Sequence, residues 1–456
     1  MISRLCAVFV IVLLIGGAGW SLAEAIPPDQ TIPAVSQSVE TATPIVEMIQ
    51  PGEKLTLDRV VDIARQRQPT LAAAQGSITV NQSKVGQAEA GYYPQVDAAA
   101  SYNRLSPGAT SSFGVISSSQ NQYVAGLTVK QRLYDFGKTS TQVDIQRTTL
   151  DSSRSDLAAV EEQVLFTVKL AYYDMLKAGR NIEVATETVK QFGQHLEQAK
   201  GFFEAGLKPK YDVTKAEVDL SNAKLNLIRM KNGLSLARVV LNNAMGIPEA
   251  PDYEIVDTLR FSPLQLSFDK ALAMAFDHRP DLKALLLKKR AAEQGVSLAQ
   301  KGDSPYVSGN ASTSYNAEKL AMDPGWSVGV ALSVPVFNGY QTRYQISEAQ
   351  ANVDILSARE TSLRQSIHKD VQQGFLNLQE AEERISATKF AVQQAEENFE
   401  IASGRYEAGV GAPVEITDAY VLLINARTNH IQALYDYRIT QTMIEQAVGV
   451  SGMGEK

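Results

Sequence analysis

Two long stretches of the chain carry a large apolar residue at every seventh position. In the later stretch the series is Val371, Leu378, Ile385, Val392, Phe399 and Tyr406. Three places on from the first five sit Gly374, Ala381, Thr388, Ala395 and Ala402. In the earlier stretch the series is Val168, Met175, Ile182, Val189, Leu196 and Phe203, with Ala171, Ala178, Ala185, Phe192 and Ala199 as companions. A seven-residue period keeps each series on one helix face, and pairing large with small positions lets such faces close knobs-into-holes. A strict period of seven also commits the helices to supercoiling. The pattern predicts two helices, about Lys138 to Ala205 and Gln341 to Ala408, with no proline in either. At ~1.5 Å per residue each reaches about 100 Å, far more than a compact core uses.

A period of two governs four shorter stretches. Val96, Ala98, Ala100 and Tyr102 alternate with Asp97, Ala99, Ser101 and Asn103. Tyr123, Ala125, Leu127 and Val129 form the returning stretch. In the second half, Val307 to Tyr315 and Trp326 to Val334 repeat the scheme. One face is apolar and the other small and polar. Strands of this length with that alternation match a transmembrane barrel, which places Leu127, Val328 and Val330 toward lipid. Tyr92, Tyr93, Tyr102, Tyr123, Tyr306, Tyr315 and Trp326 fall near strand ends, where an interfacial belt lies. A half-buried soluble hairpin carries the same alternation. Four strands cannot close a barrel in one chain, so either several chains share one or no barrel forms.

The chain is a duplication. "FEAGLKPKYDVTKAEVDL", from Phe203, faces "YEAGVGAPVEITDAYVLL", from Tyr406, with seven of eighteen positions identical. The same 203-residue shift pairs "NAMGIP" with "QAVGVS" and Asp135 with Asn338. Upstream the shift is 211, pairing "RQPTL" with "HRPDL" and "YYPQV" with "DSPYV". Units this long are not solenoid repeats. They read as two copies of one domain-sized unit, 55–249 and 264–449, with a short tail over 450–456. Each copy runs short helix, helix, strand, loop, strand, very long helix, tight turn, helix. Gly206 and Gly409 suit the left-handed close of a helix, and Pro209 and Pro413 suit the start of the next. Each "EAG" turn is therefore the tip of a helical hairpin.

The N-terminus adds a compartment. Arg4, the apolar run Leu5 to Ile15 and Ala23-Glu24-Ala25 read as a signal peptide over 1–25; a retained signal anchor is the alternative. The only cysteine, Cys6, lies inside that segment, so the mature chain has no disulfide or cysteine metal site. Residues 26–54 are rich in Pro, Thr, Ser and Gln and read as an extended lead-in. The chain has 43 basic and 50 acidic side chains, a net charge of -7, which argues against nucleic acid as partner. Enzyme chemistry finds no foothold. His195, His278, His368 and His430 lack ligand spacing and read as residues on helix surfaces, and no phosphate loop or nucleophile elbow occurs. No catalytic residue, cofactor or metal is expected.

In its order of parts the chain resembles the TolC-like outer-membrane efflux and secretion channels. The matching features are "YYPQV", the helix openers "LYDFGK" and "VFNGYQ", the two hairpin tips, and the "NAMG" and "QAVG" closers. The resemblance covers nearly all of 55–449. It implies a mainly α fold with a small β part: a homotrimer with a coiled-coil α-barrel of duplicated long-helix hairpins. Four strands per chain would complete a twelve-stranded transmembrane β-barrel in the outer membrane of a Gram-negative bacterium. The tunnel would extend into the periplasm and meet a periplasmic adaptor and an inner-membrane transporter. It also implies that Glu415 and Asp418 form an acidic, cation-favouring entrance ring. Tyr406 would latch that entrance through Asp212 of a neighbouring chain. A basic residue that often makes a second tie in the family is replaced here by Gly411. Carboxylates in a helix's first turn also have a plain capping role, and a periplasmic coiled-coil scaffold or adhesin without a pore is the rival reading of the whole.

Overall fold

The computed structural model describes residues 49–450, apart from 108–109, 112–113, 116–118, 258–260, 262 and 318–322. The expected signal peptide, most of the lead-in and nearly all of the tail lie outside the described residues. Two sets of helices of matching length follow one another. The first comprises α1 (Leu57–Arg67), α2 (Pro69–Glu89), α3 (Lys138–Glu204) and α4 (Lys210–Met245). The second comprises α5 (Phe268–His278), α6 (Pro280–Gln300), α7 (Gln341–Glu407) and α8 (Pro413–Val448). The long helices α3 and α7 have 67 residues each, within one residue of the bounds that the seven-residue period predicts. No described helix is long and apolar enough to cross a membrane.

The seven-residue seams are where the helices bury themselves. Val371, Leu378, Ile385 and Tyr406 of α7 are buried, as are Gly374, Ala381 and Ala402. Gly374 is needed for contact: a Cβ there would lie 2.8 Å from Ile444 Cγ1 on α8. In α3, Val168, Met175 and Leu196 are buried, but Phe203 is 44% exposed. The seam therefore runs to the tip in the second copy and stops short of it in the first. Where α3 crosses α8, the ammonium of Lys169 meets the carboxylate of Glu445 at 2.8 Å, both side chains buried. Such a pair contributes little net energy against apolar packing, yet losing one partner would strand a buried charge at a cost of about 3–5 kcal/mol. It ties the two copies in one register.

The two closers have a packing reason. Gly246 and Gly449 both adopt positive φ at the ends of α4 and α8. A Cβ at Gly246 would sit 2.6 Å from the Arg67 carbonyl oxygen, and one at Gly449 would sit 2.9 Å from Arg279 Cα. Each glycine lets its helix end lie directly on the α1–α2 or α5–α6 corner, so the same residue recurs in both copies.

The long strands are β2 (Gln95–Leu105), β5 (Gln120–Tyr134), β7 (Tyr306–Ala317) and β8 (Asp323–Ser333). The short ones are β1 (Lys54–Leu55), β3 (Thr110–Ser111), β4 (Gly114–Val115) and β6 (Glu254–Ile255); β1 pairs with β6 and β3 with β4. The long strands form one antiparallel sheet in the order β2-β5-β7-β8. Its register carries the sequence alternation across all four strands. Val96 pairs with Val129, Val129 with Ala311 and Ala311 with Val328. One residue along, Asp97, Thr128, Ser312 and Ser327 form the corresponding polar row. Paired residues share a face, so one face is mainly apolar and the other mainly small and polar. The apolar face is uncovered: Leu127, Val328 and Val330 are 46%, 55% and 71% exposed, and Trp326 is 82% exposed. Among the described residues, strands β2 and β8 each have a neighbour on one side only.

If that face meets lipid, a charge on it costs about 2–4 kcal/mol at mid-bilayer. Val328→Arg should therefore abolish the folded protein in the outer-membrane fraction. Ser327→Arg, on the opposite face, should leave its yield near wild type and reduce conductance. Equal tolerance of the two changes would mark a soluble hairpin.

Candidate functional site at the hairpin tips

Each tip closes as its glycine dictates. Gly206 and Gly409 have φ of +73° and +76°. Their N–H groups donate to Phe203 and Tyr406 carbonyl oxygens at 2.9 Å, and Leu207 and Val410 N–H reach back to Phe202 and Arg405. Pro413 is the first residue of α8, as expected. Pro209 stands one place earlier, as the N-cap of α4; its ring still spares an N–H that would lack a partner.

Tyr406 is fully buried between the two tips of one chain. It packs with Ala402, Ile416, Ala419, Phe202 and Phe399. The Phe202 and His195 rings stand edge-on to it, with centroids 5.5 and 5.1 Å away. Burial raises the Tyr406 phenol pKa, and the nearby Asp212 carboxylate raises it further. Asp212 of the same chain thus lies near enough to Tyr406 to act on it electrostatically. The reason is the second-copy seam, which carries Tyr406 inward under α3 and α4. No hydrogen bond joins the pair. The Tyr406 hydroxyl has no partner among the described residues.

Glu415 and Asp418 lie in the first two turns of α8, three residues apart and so on one helical face. Their surroundings differ. Glu415 accepts from Arg405 Nε at 3.2 Å and from the Ala412 N–H at 3.4 Å. The Arg405 hydrogen bond, then the backbone one, hold its carboxyl below the usual range. Glu415 therefore has the capping role as well as its charge. Asp418 is exposed and makes no ion pair among the described residues. In the first copy Lys215, the counterpart of Asp418, is paired with Asp219 at 3.1 Å.

Three ties between the tips had no signal in the periodicity. Lys208 Nζ donates to the Gly411 carbonyl oxygen at 3.3 Å and lies 5.4 Å from the Tyr406 ring centroid. Thr417 Oγ1 donates to Asp219 Oδ2 at 3.1 Å. Tyr420 packs between Phe192 and Phe399, with centroids 5.1 and 4.9 Å away. Gly411 has no room for a side chain: a Cβ would lie 2.9 Å from Tyr406 N. That explains why no basic residue stands there. The sequence signal for Lys208 was present in the duplication, since 208 and 411 are counterparts at the 203-residue shift. The sequence places His195 on a helix surface; in the structure it is buried against Tyr406, with its Nδ1 unpartnered among the described residues.

Burial pushes the His195 pKa down from 6.5, while Asp219 and Asp212 oppose that shift and Lys215 adds to it. A buried neutral histidine takes its proton later than an exposed one. Its burial is without penalty above pH 6.5 and becomes costlier as pH falls below it. The thermal midpoint of the wild type, relative to His195→Gln, should therefore fall between pH 7 and pH 5. Parallel midpoints across that range would overturn this assignment.

The comparisons with known proteins place this arrangement. A family model described as "Outer membrane efflux protein" matches residues 60–247 and 271–450. The chain is 24% identical over 405 residues to "Outer membrane protein TolC" of Vibrio cholerae, covering 86% of this chain and 90% of that protein. It is 26% identical over 409 residues to "Protein CyaE" of Bordetella pertussis, covering 88% and 85%. The fold is similar to the crystal structure of the outer membrane protein VceC from Vibrio cholerae. The TM-score is 0.74 at 21% identity, over 86% of this chain and 96% of that one.

Proposed function

The chain belongs to the outer membrane efflux protein family, and from that premise we propose that it is one protomer of a homotrimeric exit duct. The protein is an outer-membrane efflux channel, in a family of transport proteins and not of enzymes. The finer reading is a passive conduit for a tripartite efflux pump or a type I secretion system. A periplasmic adaptor and an inner-membrane transporter would deliver its cargo. The observation that carries the reading is the sheet. Its four strands present an uncovered apolar face, and its two outer edges lack neighbours among the described residues. Backbone edges are not tolerated in hydrocarbon, so a membrane sheet must close. Three copies give twelve strands, an even number suited to an outer-membrane barrel. The polar row of Thr128, Ser312 and Ser327 would then face water inside. A scaffold without a pore has no use for either feature.

The helical hairpins would continue the barrel as a tunnel, narrowing at the tips. There Glu415 and Asp418 would become rings of carboxylates. Because Arg405 already neutralises part of the Glu415 field, Asp418 is the stronger contributor to cation preference. Asp212 and Tyr406 would act where the second tip is seated on the first.

Two experiments test this reading. Fractionation with mass measurement in detergent should find a trimer in the outer membrane; a soluble monomer would end the channel reading. In planar bilayers, Glu415→Ala with Asp418→Ala should weaken cation selectivity and block by multivalent cations, Asp418→Ala alone giving most of the effect. Unchanged selectivity in the double variant would leave both carboxylates as ordinary helix-start residues.

A further inference from the structure

We propose that Lys208 locks the two hairpin tips of each chain together, and that it acts through the ring of Tyr406 and not its hydroxyl. The inference rests on reading the tips as the channel entrance. The hydroxyl makes no tie between the tips within the chain: it is buried with no hydrogen-bond partner among the described residues. The ring is held on every side. Phe202 and His195 stand edge-on to it, and the Lys208 ammonium approaches it at 5.4 Å from the centroid. An ammonium within ~6 Å of a ring centroid is attracted by the ring's quadrupole. The same ammonium donates to the Gly411 carbonyl oxygen. Both of its contacts are on the second tip, while Lys208 is on the first.

The duplication makes this tie one-way. Lys208 and Gly411 are counterparts, yet one carries a cation and the other has no room for a side chain. Gly411 lets the turn tuck against Tyr406 N, leaving its carbonyl to accept from Lys208. A lysine side chain thus bonds the backbone of its own counterpart. Phe203, the counterpart of Tyr406, is exposed and takes no part. For α7 and α8 to part from α3 and α4 at the tip, the ammonium must leave the ring and the carbonyl together. A second polar tie near the tips, Thr417 to Asp219, is a neutral donor on a carboxylate already held by Lys215.

Hydrogen exchange of the amides at 202–208 and 405–411 tests the lock on the detergent-solubilised full-length protein. The measurement is made in 1 M KCl, where exposed charges are screened within about 3 Å. Lys208→Met keeps the apolar stem and removes the charge. It should speed exchange at both tips about five-fold. Lys208→Arg should restore wild-type exchange. Tyr406→Phe keeps the ring and should match wild type, whereas Tyr406→Leu should match Lys208→Met. Unchanged exchange in Lys208→Met, or acceleration in Tyr406→Phe, would overturn the proposal. Trimer mass and wild-type conductance steps, measured on the same preparations, test the channel reading separately. A protein that fails those yet loosens in Lys208→Met keeps the lock and loses the channel.

Discussion

A peptide group in hydrocarbon has no water to bond, so any sheet that enters a membrane must leave no edge unpaired. The four-stranded sheet of this chain is apolar on one uncovered face and has two edges without neighbours. Much of the rest is consistent with that constraint. Closure requires other copies, which must present matching edges, and a rotationally repeated chain supplies them. The duplication supplies two strand pairs per chain, each flowing into one long helix. In a barrel so closed, the helices would inherit its arrangement and carry it away from the membrane.

That hand-over is made at two strained corners. Phe136 and Gly137 both have positive φ before α3, as do Gly339 and Tyr340 before α7. A bulky residue in the left-handed region costs about 1–2 kcal/mol. Polar contacts hold the corners in place. Asp135 accepts from the Gly137 and Thr139 N–H groups at 3.1 and 2.8 Å. Asp303 accepts from Asn338 Nδ2 and Thr342 Oγ1 at 2.7 and 2.6 Å. Lys138 donates to the Gly302 carbonyl while Lys301 donates to that of Gly137, at 2.7 and 3.2 Å, an exchange that binds the two copies. The glycine falls second in one corner and first in the other, so each copy keeps one aromatic residue in the strained position.

At the far end the copies diverge. The second tip seats its aromatic residue inside the chain; the first leaves Phe203 in solvent. The second tip carries two carboxylates at its helix start, where the first has Asp212 and Lys215. Duplication gives equal scaffolds, and at the tips the copies differ in charge and in which aromatic residue is buried.

Period and alternation by themselves determined the long helices, the hairpin tips, the four strands and the faces those strands present. These are local properties: a seven-residue seam or a two-residue alternation says which side of an element is apolar, whatever lies opposite. What lies opposite was decided only by the tertiary structure. Tyr406 and Phe203 hold the same place in their seams, yet one is buried and the other exposed, because burial depends on which helix crosses above. His195 looked like a surface residue on a helix because its burial comes from Tyr406, 211 residues away. Lys208 and Gly411 were visible as counterparts but not as partners. A charge reaching a carbonyl across two turns depends on distance in space, which no spacing along the chain encodes.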